Sequence, residues 1–375
     1  MSAREACIFV GHLPTGPNNT ITDVAGVRVG HSTIIRGEGP LVVGEGPVRT
    51  GVTVVCPREG FTREDPVFAG AHRFNGNGEV TGLEWIREAG ALTTPVAITN
   101  THSVGVVRDA LVAAEFEQST KEYWVLPVVA ETYDGTLNDI NGQHVKAEHL
   151  GDARSGPVIE GSVGGGTGMI CHEFKGGIGT ASRRLADEEG GWTVGALVQT
   201  NYGRRHMLRV DGAPVGRVLS TELVPSPYEE GDTQPAGTGS IIVVLATDAP
   251  LLPIQCDRLA RRASVGLGRM GGGYDDGSGD IFLAFATGNG GLSGSGLSEL
   301  PLTIPVATIP NERMTPLFHA AAEATEEGIL NALLAAGTVR GRDGVTAHGL
   351  TPDLLLGALD EARSLCARQD KRRST

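Results

Sequence analysis

A polar segment and an apolar one meet abruptly well past the middle of the chain, and that junction limits the possible folds more than any other feature. Residues 221–239 carry three prolines, three glycines and four acidic residues. They have no apolar period and read as an exposed, mobile linker. The segment stops at Ser240, and Ile241-Ile-Val-Val-Leu-Ala246 follows without a polar residue. Alternate side chains of a strand point to opposite sides. A short, continuous, β-branched run therefore fits a strand covered on both faces.

The rest of the chain supplies elements to cover it. Residues 24–29, 51–55, 95–99, 124–130 and 281–286 read as strands. Residues 81–89 can form a short helix ended by Gly90, and 106–118 form a longer one. Residues 257–264 suit a helix. In 317–336, Leu317, Ala321, Ala324, Ile329, Leu333 and Leu334 recur largely at three- and four-residue spacings, with Gly337 as a stop signal. A last helix spans 352–367. Strands interspersed with helices fit a layered α/β architecture.

Composition narrows the class. With 375 residues, 40% of them hydrophobic, the chain can bury a substantial core in one large domain or two. Its 55 glycines have no fixed period and imply many tight turns and close approaches. A net charge of −13 repels phosphate backbones and argues against a nucleic-acid partner. No run of about 18 apolar residues marks a membrane span, and the first residues lack a signal peptide's apolar stretch. The expectation is a soluble, cytoplasmic protein. Cys7, Cys56, Cys171, Cys256 and Cys366 are odd in number and far apart in sequence, so they read as reduced, mostly buried thiols rather than disulfides or zinc ligands.

The common hydrolase signatures are absent: no G-x-S-x-G, S-x-x-K or H-E-x-x-H occurs. No cluster has metal-ligand spacing, so neither a metal nor another cofactor is expected. The glycine-rich run at 161–168 lacks a P-loop's lysine and reads as a tight packed loop or as the border of a substrate pocket. Gly-Ser pairs occur four times, but only Gly239-Ser240 lies between a polar linker and a buried strand. Glycine there can adopt backbone angles closed to other residues and so hold a strained peptide bond. Attack of the serine hydroxyl on the Gly239 carbonyl, followed by hydrolysis of the ester, would leave Ser240 as a new N-terminus. Its α-amine, with an unperturbed pKa of about 7.7–8.0, could then act as general base.

At this junction the sequence resembles the DmpA-type aminopeptidases, which include L-aminopeptidase/D-amidase/D-esterases and β-aminopeptidases. The similar segments are Leu13-Pro-Thr-Gly-Pro17, Ile21-Thr-Asp-Val-Ala-Gly-Val-Arg-Val-Gly-His31, Asn75-Gly-Asn-Gly-Glu79, Glu131-Thr-Tyr-Asp-Gly135, Gly164-Gly-Gly-Thr-Gly168, Gln199-Thr-Asn-Tyr-Gly203, the stretch from Gly237 to Leu251, and Ala324-Thr-Glu-Glu327. The resemblance implies an αββα sandwich like that of N-terminal-nucleophile hydrolases, with different strand connectivity. It implies a single domain, 1–375, cut into an α chain, 1–239, and a β chain, 240–375. It also implies a homo-oligomer of αβ units, a tetramer being favoured.

The resemblance also assigns the site. Ser240 matches the nucleophile, and Asn201 the amide that donates to the developing oxyanion. Tyr133 matches a tyrosine near the nucleophile, and Glu131 an acidic residue that pairs with the substrate's free amine. Ser278 and Asp280 match a serine and an acidic residue that support Ser240. Some members have glutamate where Asp280 stands, one methylene longer. Either the loop lies closer, or Asp280 acts through Ser278 or a water. The implied activity is hydrolysis of short peptides, amides or esters bearing a free amine. Two alternatives remain. Ornithine acetyltransferases self-process on a similar fold, but ahead of a threonine. An unprocessed, non-catalytic relative would be expected to have lost Ser240 or Asn201.

Overall fold

The apolar run after Ser240 forms most of a central strand, and its alternate side chains enter two different cores. A computed structural model describes residues 1–118, 124–151, 155–228, 239–292 and 301–373. In it β11 spans Gly239–Thr247 and is buried throughout. Ile241, Val243 and Leu245 pack into a core shared with helices. Ile242, Val244 and Ala246 pack into a second core between two sheets. Burying each larger aliphatic side chain contributes about 1.5–3 kcal/mol, so both faces of this strand hold the layers together.

Six strands form the larger sheet, in the order β4-β3-β12-β11-β10-β9. They are β4 (Ala91–Leu92), β3 (Val67–Arg73), β12 (Ser278–Ala286), β11, β10 (Thr193–Asn201) and β9 (Gly177–Arg184). The pair β11/β12 is parallel, and the other pairs are antiparallel. The smaller sheet has the order β1-β2-β5-β6, with β1 (Arg28–Arg36), β2 (Val48–Cys56), β5 (Val96–Asn100) and β6 (Val128–Thr132). Two-residue ribbons pair β7 (Ile170–Cys171) with β8 (Phe174–Lys175), and β13 (Val339–Arg340) with β14 (Thr346–Ala347).

Helices cover both outer faces. On the larger sheet, α5 (Thr315–Ala335) lies over β9 and β10, α3 (Pro253–Ala260) lies over β3, and α4 (Ala263–Arg269) packs on α5. The final helix, α6 (Pro352–Arg373), adds Leu355, Ala358, Leu359 and Ala362 to that core. On the smaller sheet, Val104, Val107 and Leu111 of α2 (Val104–Gln118) meet Val52, Val54, Ala97 and Val129. The order of layers is thus helix, sheet, sheet, helix, the expected αββα sandwich. Among the described residues, no helix is long and apolar enough to cross a membrane.

Several element boundaries differ from the sequence reading, for local reasons. The expected strand at 24–29 begins only at Arg28, because Gly26 sits at φ 85° and breaks the extended backbone. Val24 and Val27 still reach the inter-sheet core, but from a turn. In the expected strand at 124–130, only the part from Val128 pairs. Trp124 is exposed and sets its ring edge-on to Trp85, with centroids 4.9 Å apart. The helix expected at 257–264 is two helices, of which the first starts earlier, at Pro253. The short helix α1 (Leu83–Ala89) ends as expected at Gly90, in the left-handed region.

The expected linker, 221–239, is described only in part. Residues 229–238 lie outside the described residues. Residues 221–228 are only partly exposed: Val224 is buried, its carbonyl accepts from Arg205 Nη1 at 2.9 Å, and Tyr228 packs against a small core of Leu137, Ile170 and Ala347. The four thiols described are free, and three of them are at least half-buried. Cys171 and Cys256 are buried, Cys56 is half-buried, and Cys7 is exposed.

The Ala324-Thr-Glu-Glu327 motif serves the scaffold. Arg183, wholly buried, donates to Glu323 at 3.0 Å and to Glu327 at 2.6 Å. Arg4 reaches Glu327 at 2.9 Å, and the His12 and Leu13 N–H groups donate to Glu323. This network fastens the first residues of the chain across α5.

Candidate active site

The candidate residues gather at one rim of the sandwich, where β6 and β10 end and β11 and β12 begin. Strand register brings them together. Asn201, the last residue of β10, pairs with Ser240, and Ser240 pairs on its other side with Gly279. Gly279 stands between Ser278 and Asp280 at the start of β12. Ser240 Oγ accepts a hydrogen bond from the Gly279 N–H at 3.2 Å and is only 2% exposed as a residue.

The Asn201 side chain is held at both ends. Its Oδ1 accepts from the Ile170 N–H at 2.9 Å, and its Nδ2 donates to the Tyr133 carbonyl at 2.8 Å. Those partners also settle which end of the amide is oxygen and which nitrogen. Tyr133 therefore contributes its main chain to the site. Its hydroxyl lies against Gly135 and makes no direct hydrogen bond to Ser240 among the described residues.

Asp280 acts on its surroundings through Ser278. Ser278 Oγ donates to Asp280 Oδ1 at 2.6 Å, and Asn75 Nδ2 donates to Oδ2 at 2.6 Å. The shorter acid thus contacts Ser278 directly. Burial raises the Asp280 pKa, and its bonds to Ser278 and Asn75 oppose the rise. The place where a Gly239 side chain would begin lies 3.6 Å from Ser278 Oγ, so this hydroxyl sits beside the Gly239–Ser240 peptide.

One expectation about that peptide is overturned. The φ of Gly239 is outside the left-handed region, and among the described residues nothing would lie closer to a Cβ there than Ser278 Oγ. Pairing with Ser278 continues the β11/β12 ladder one residue before Ser240 and keeps Gly239 extended. Glycine is therefore not required here by a strained φ.

Glu131, near the end of β6, is 3% exposed. Its Oε1 accepts from the Glu79 N–H at 2.9 Å, and its Oε2 accepts from Thr101 Oγ1 at 2.5 Å. Burial raises its pKa, and these two bonds oppose the rise. The point where a Gly78 side chain would begin is 3.1 Å from Gly279 Cα and 3.3 Å from Glu131 Oε1. The carboxylate and the strand segment that holds Ser240 thus flank the same glycine.

The loop carrying Gly78 was matched by resemblance, but its role comes from the structure. Phe74 and Asn75 donate their N–H groups to the Asp280 carbonyl, at 2.9 and 3.2 Å, and Asn77 donates to the Ser278 carbonyl at 3.1 Å. Asn75 and Thr101 are site residues that local sequence did not reveal, because their partners lie 205 and 30 residues away. The glycine-rich run is packed backbone, and it leads to Ile170 beside Asn201. Gly164 and Gly165 donate to Thr33 and Thr53, whereas Ile170 just beyond meets Asn201. Among the described residues, no group of three or more His, Cys, Asp and Glu is placed to hold a metal ion.

Fold and site together define a hydrolase on a variant of the N-terminal-nucleophile hydrolase fold. The chain belongs to peptidase family S58, whose sequence model matches residues 19–347. It is an aminopeptidase, and this membership does not favour the acetyltransferase alternative. It is 52% identical to the β-peptidyl aminopeptidase BapA of Sphingosinicella microcystinivorans, over 94% of this chain and 90% of that protein. Among solved structures, a Burkholderia sp. β-aminopeptidase superposes with a TM-score of 0.90 at 58% identity, covering 96% of this chain and 99% of that one. The L-aminopeptidase D-Ala-esterase/amidase of Ochrobactrum anthropi, described as a prototype for the serine aminopeptidases, gives 0.84 at 42% identity, covering 96% and 98%.

Proposed function

We propose that the chain cuts its own Gly239–Ser240 bond and then works as a serine N-terminal-nucleophile aminopeptidase. The supporting observation is the register that sets Asn201, Ser240 and Gly279 side by side at the start of β11. In processing, Ser240 Oγ adds to the Gly239 carbonyl and the peptide C–N bond breaks. Water then cleaves the ester, leaving a carboxylate on Gly239 and a free amine and hydroxyl on Ser240. The pieces, 1–239 and 240–375, stay one folded unit, because β10 and β11 pair across the cut.

In turnover the Ser240 amine takes the hydroxyl proton as Oγ attacks the substrate carbonyl. The Asn201 amide stabilises the developing oxyanion. The proton passes to the leaving amine, and water hydrolyses the acyl-enzyme. Ser278, backed by Asp280 and Asn75, holds the polar side of the nucleophile. Glu131 receives the ammonium of the substrate. The activities for which the relatives are named support β-peptidyl substrates, with α-amino amides and esters as secondary ones. The protein is taken as cytoplasmic and without a membrane partner, and its acidic charge balance argues against a nucleic-acid one. The family resemblance supports a homo-oligomer of αβ units, a tetramer.

Intact-mass spectrometry under denaturing conditions tests the reading. Wild type should give two fragments, one beginning at Ser240, and Ser240→Ala should give a single chain without activity. A single uncut wild-type chain with full turnover would overturn it. Matched β-amino, L-α and D-α p-nitroanilides then rank the substrates.

A further inference from the structure

Lys175, at the end of β8, is a buried amine that the mechanism above leaves without a task; burial pushes its pKa down to about 7, and the arrangement that follows is that of its charged form. The residue is 0% exposed, and it makes no ion pair among the described residues. Its ammonium donates to the carbonyls of Gly166, Met169 and Gly176, at 3.1, 2.8 and 2.7 Å. An ammonium has three N–H donors, and these carbonyls take all three. Burying a charge is costly, and an apolar side chain could fill the same space without that penalty. The three bonds therefore need a reason beyond packing.

The Met169 carbonyl supplies one. It belongs to the Met169–Ile170 peptide, a rigid plane. On one side of that plane the oxygen accepts from Lys175 Nζ and from the Gly176 N–H, the latter at 2.9 Å. On the other side the Ile170 N–H donates to Asn201 Oδ1 at 2.9 Å. An unbroken series of donors and acceptors thus runs from the ammonium, through one peptide group, to the amide of Asn201. Hydrogen bonds in such a series polarise one another, and the effect is larger where water is excluded. The positive end of the series is Lys175, so electron density is drawn away from Asn201 Nδ2 and its N–H groups become stronger donors.

We infer that Lys175 is a positioning residue of the oxyanion site, its ammonium fixing and polarising the Met169–Ile170 peptide that orients the Asn201 amide. The inference rests on the proposed role of Asn201 as oxyanion donor. It gives the glycine-rich run a function too. The carbonyls of Gly166 and Met169 are the anchor on which the ammonium closes the loop.

A double-mutant cycle with Asn201→Ala tests it. Lys175→Met keeps the length of the stem and removes charge and donors. Both single variants and the double variant are assayed on a free-amine p-nitroanilide, with kcat expressed per cleaved chain from the intact mass. Asn201→Ala should lower kcat by about 100–1000-fold. Lys175→Met should lower kcat by roughly tenfold or more with KM within about twofold, as expected for a weakened oxyanion donor. In the Asn201→Ala background, Lys175→Met should change kcat by less than about threefold, since the group it acts through is gone. A packing role would instead multiply the two losses, and that result overturns the inference. So does a Lys175→Met enzyme with wild-type kcat while Asn201→Ala is impaired. If Asn201→Ala itself keeps its kcat, the oxyanion reading fails first. Should Lys175→Met not fold, Lys175→Gln keeps two donors without the charge. It should show the same non-additivity with a smaller loss, and wild-type kcat in that variant overturns the inference.

Discussion

Replacing Glu131 by glutamine separates the charge of the site from its shape. The carboxylate accepts from a main-chain N–H, that of Glu79, and from the Thr101 hydroxyl. Glutamine can keep both bonds. Its oxygen faces the fixed Glu79 N–H, and its NH₂ faces Thr101, whose hydroxyl can rotate to accept. The fold should therefore tolerate Glu131→Gln, with stability changed by less than about 1 kcal/mol. The ammonium of the substrate, however, loses a charge-assisted partner worth about 1.5–3 kcal/mol and gains a neutral one worth about half that. The burial of Glu131 places the effect at the upper end, since screening by water is weak there. At about 1.4 kcal/mol per decade, kcat/KM for a free-amine amide should fall roughly tenfold.

The assay is kcat/KM for one amide and its N-acetyl derivative, in both proteins, with the cleaved fraction and the melting temperature measured alongside. Wild type should turn over the acetylated amide barely at all. The substitution should hardly change that residual rate. An equal loss on both substrates would show that Glu131 supports the site generally and does not bind the amine. Equal rates on both substrates in the wild type would remove the aminopeptidase reading itself. The pH profile is a second check. A carboxylate with a raised pKa is charged only above that value. The acid limb of kcat/KM in the wild type should therefore fall as the pH drops through a value above the ordinary glutamate pKa. Glu131→Gln should lose that limb.

Other outcomes follow from the geometry. Asn201→Ala should lower kcat by about 100–1000-fold with little change in KM, measured on the cleaved enzyme, and a rise in KM alone would make Asn201 a binding residue. Gly279→Ala should be damaging although the φ of Gly279 is permitted, because its Cβ would be driven into the Asn77 and Gly78 backbone. The expected loss is about 1–3 kcal/mol in urea unfolding, together with reduced kcat/KM as the loop carrying Glu79 is pushed from Glu131. Unchanged stability and activity in that variant would show that the loop yields freely.

Some of this protein was legible from its residues alone. The run from Ile241 to Ala246 reads as a strand covered on both faces, since it is short, β-branched and without a polar residue. Gly90 marks a helix end because local backbone preference decides such a stop, whereas α5 stops at an extended Ala336 one residue before Gly337. The change in composition at Ser240 singled out one Gly-Ser pair among four. Resemblance then named Asn201, Glu131, Ser278 and Asp280, and the structure brings them to one rim.

What tertiary structure decided is which groups meet. Alternation assigns Ile241 and Ile242 to opposite faces, but only the stacking of layers says that one faces the helical layer and the other the smaller sheet. Val24 and Val27 are apolar and buried, yet Gly26 makes their stretch a turn. Asn75 meets Asp280 across 205 residues, and Lys175 reaches Asn201 only through the main chain of Met169 and Ile170. These contacts leave no local pattern, because hydrogen bonds depend on positions in space that the packing of distant strands sets. Local preference and face alternation act over a few residues and can be read from sequence, whereas strand pairing and the partners of a buried charge arise only from the closed fold.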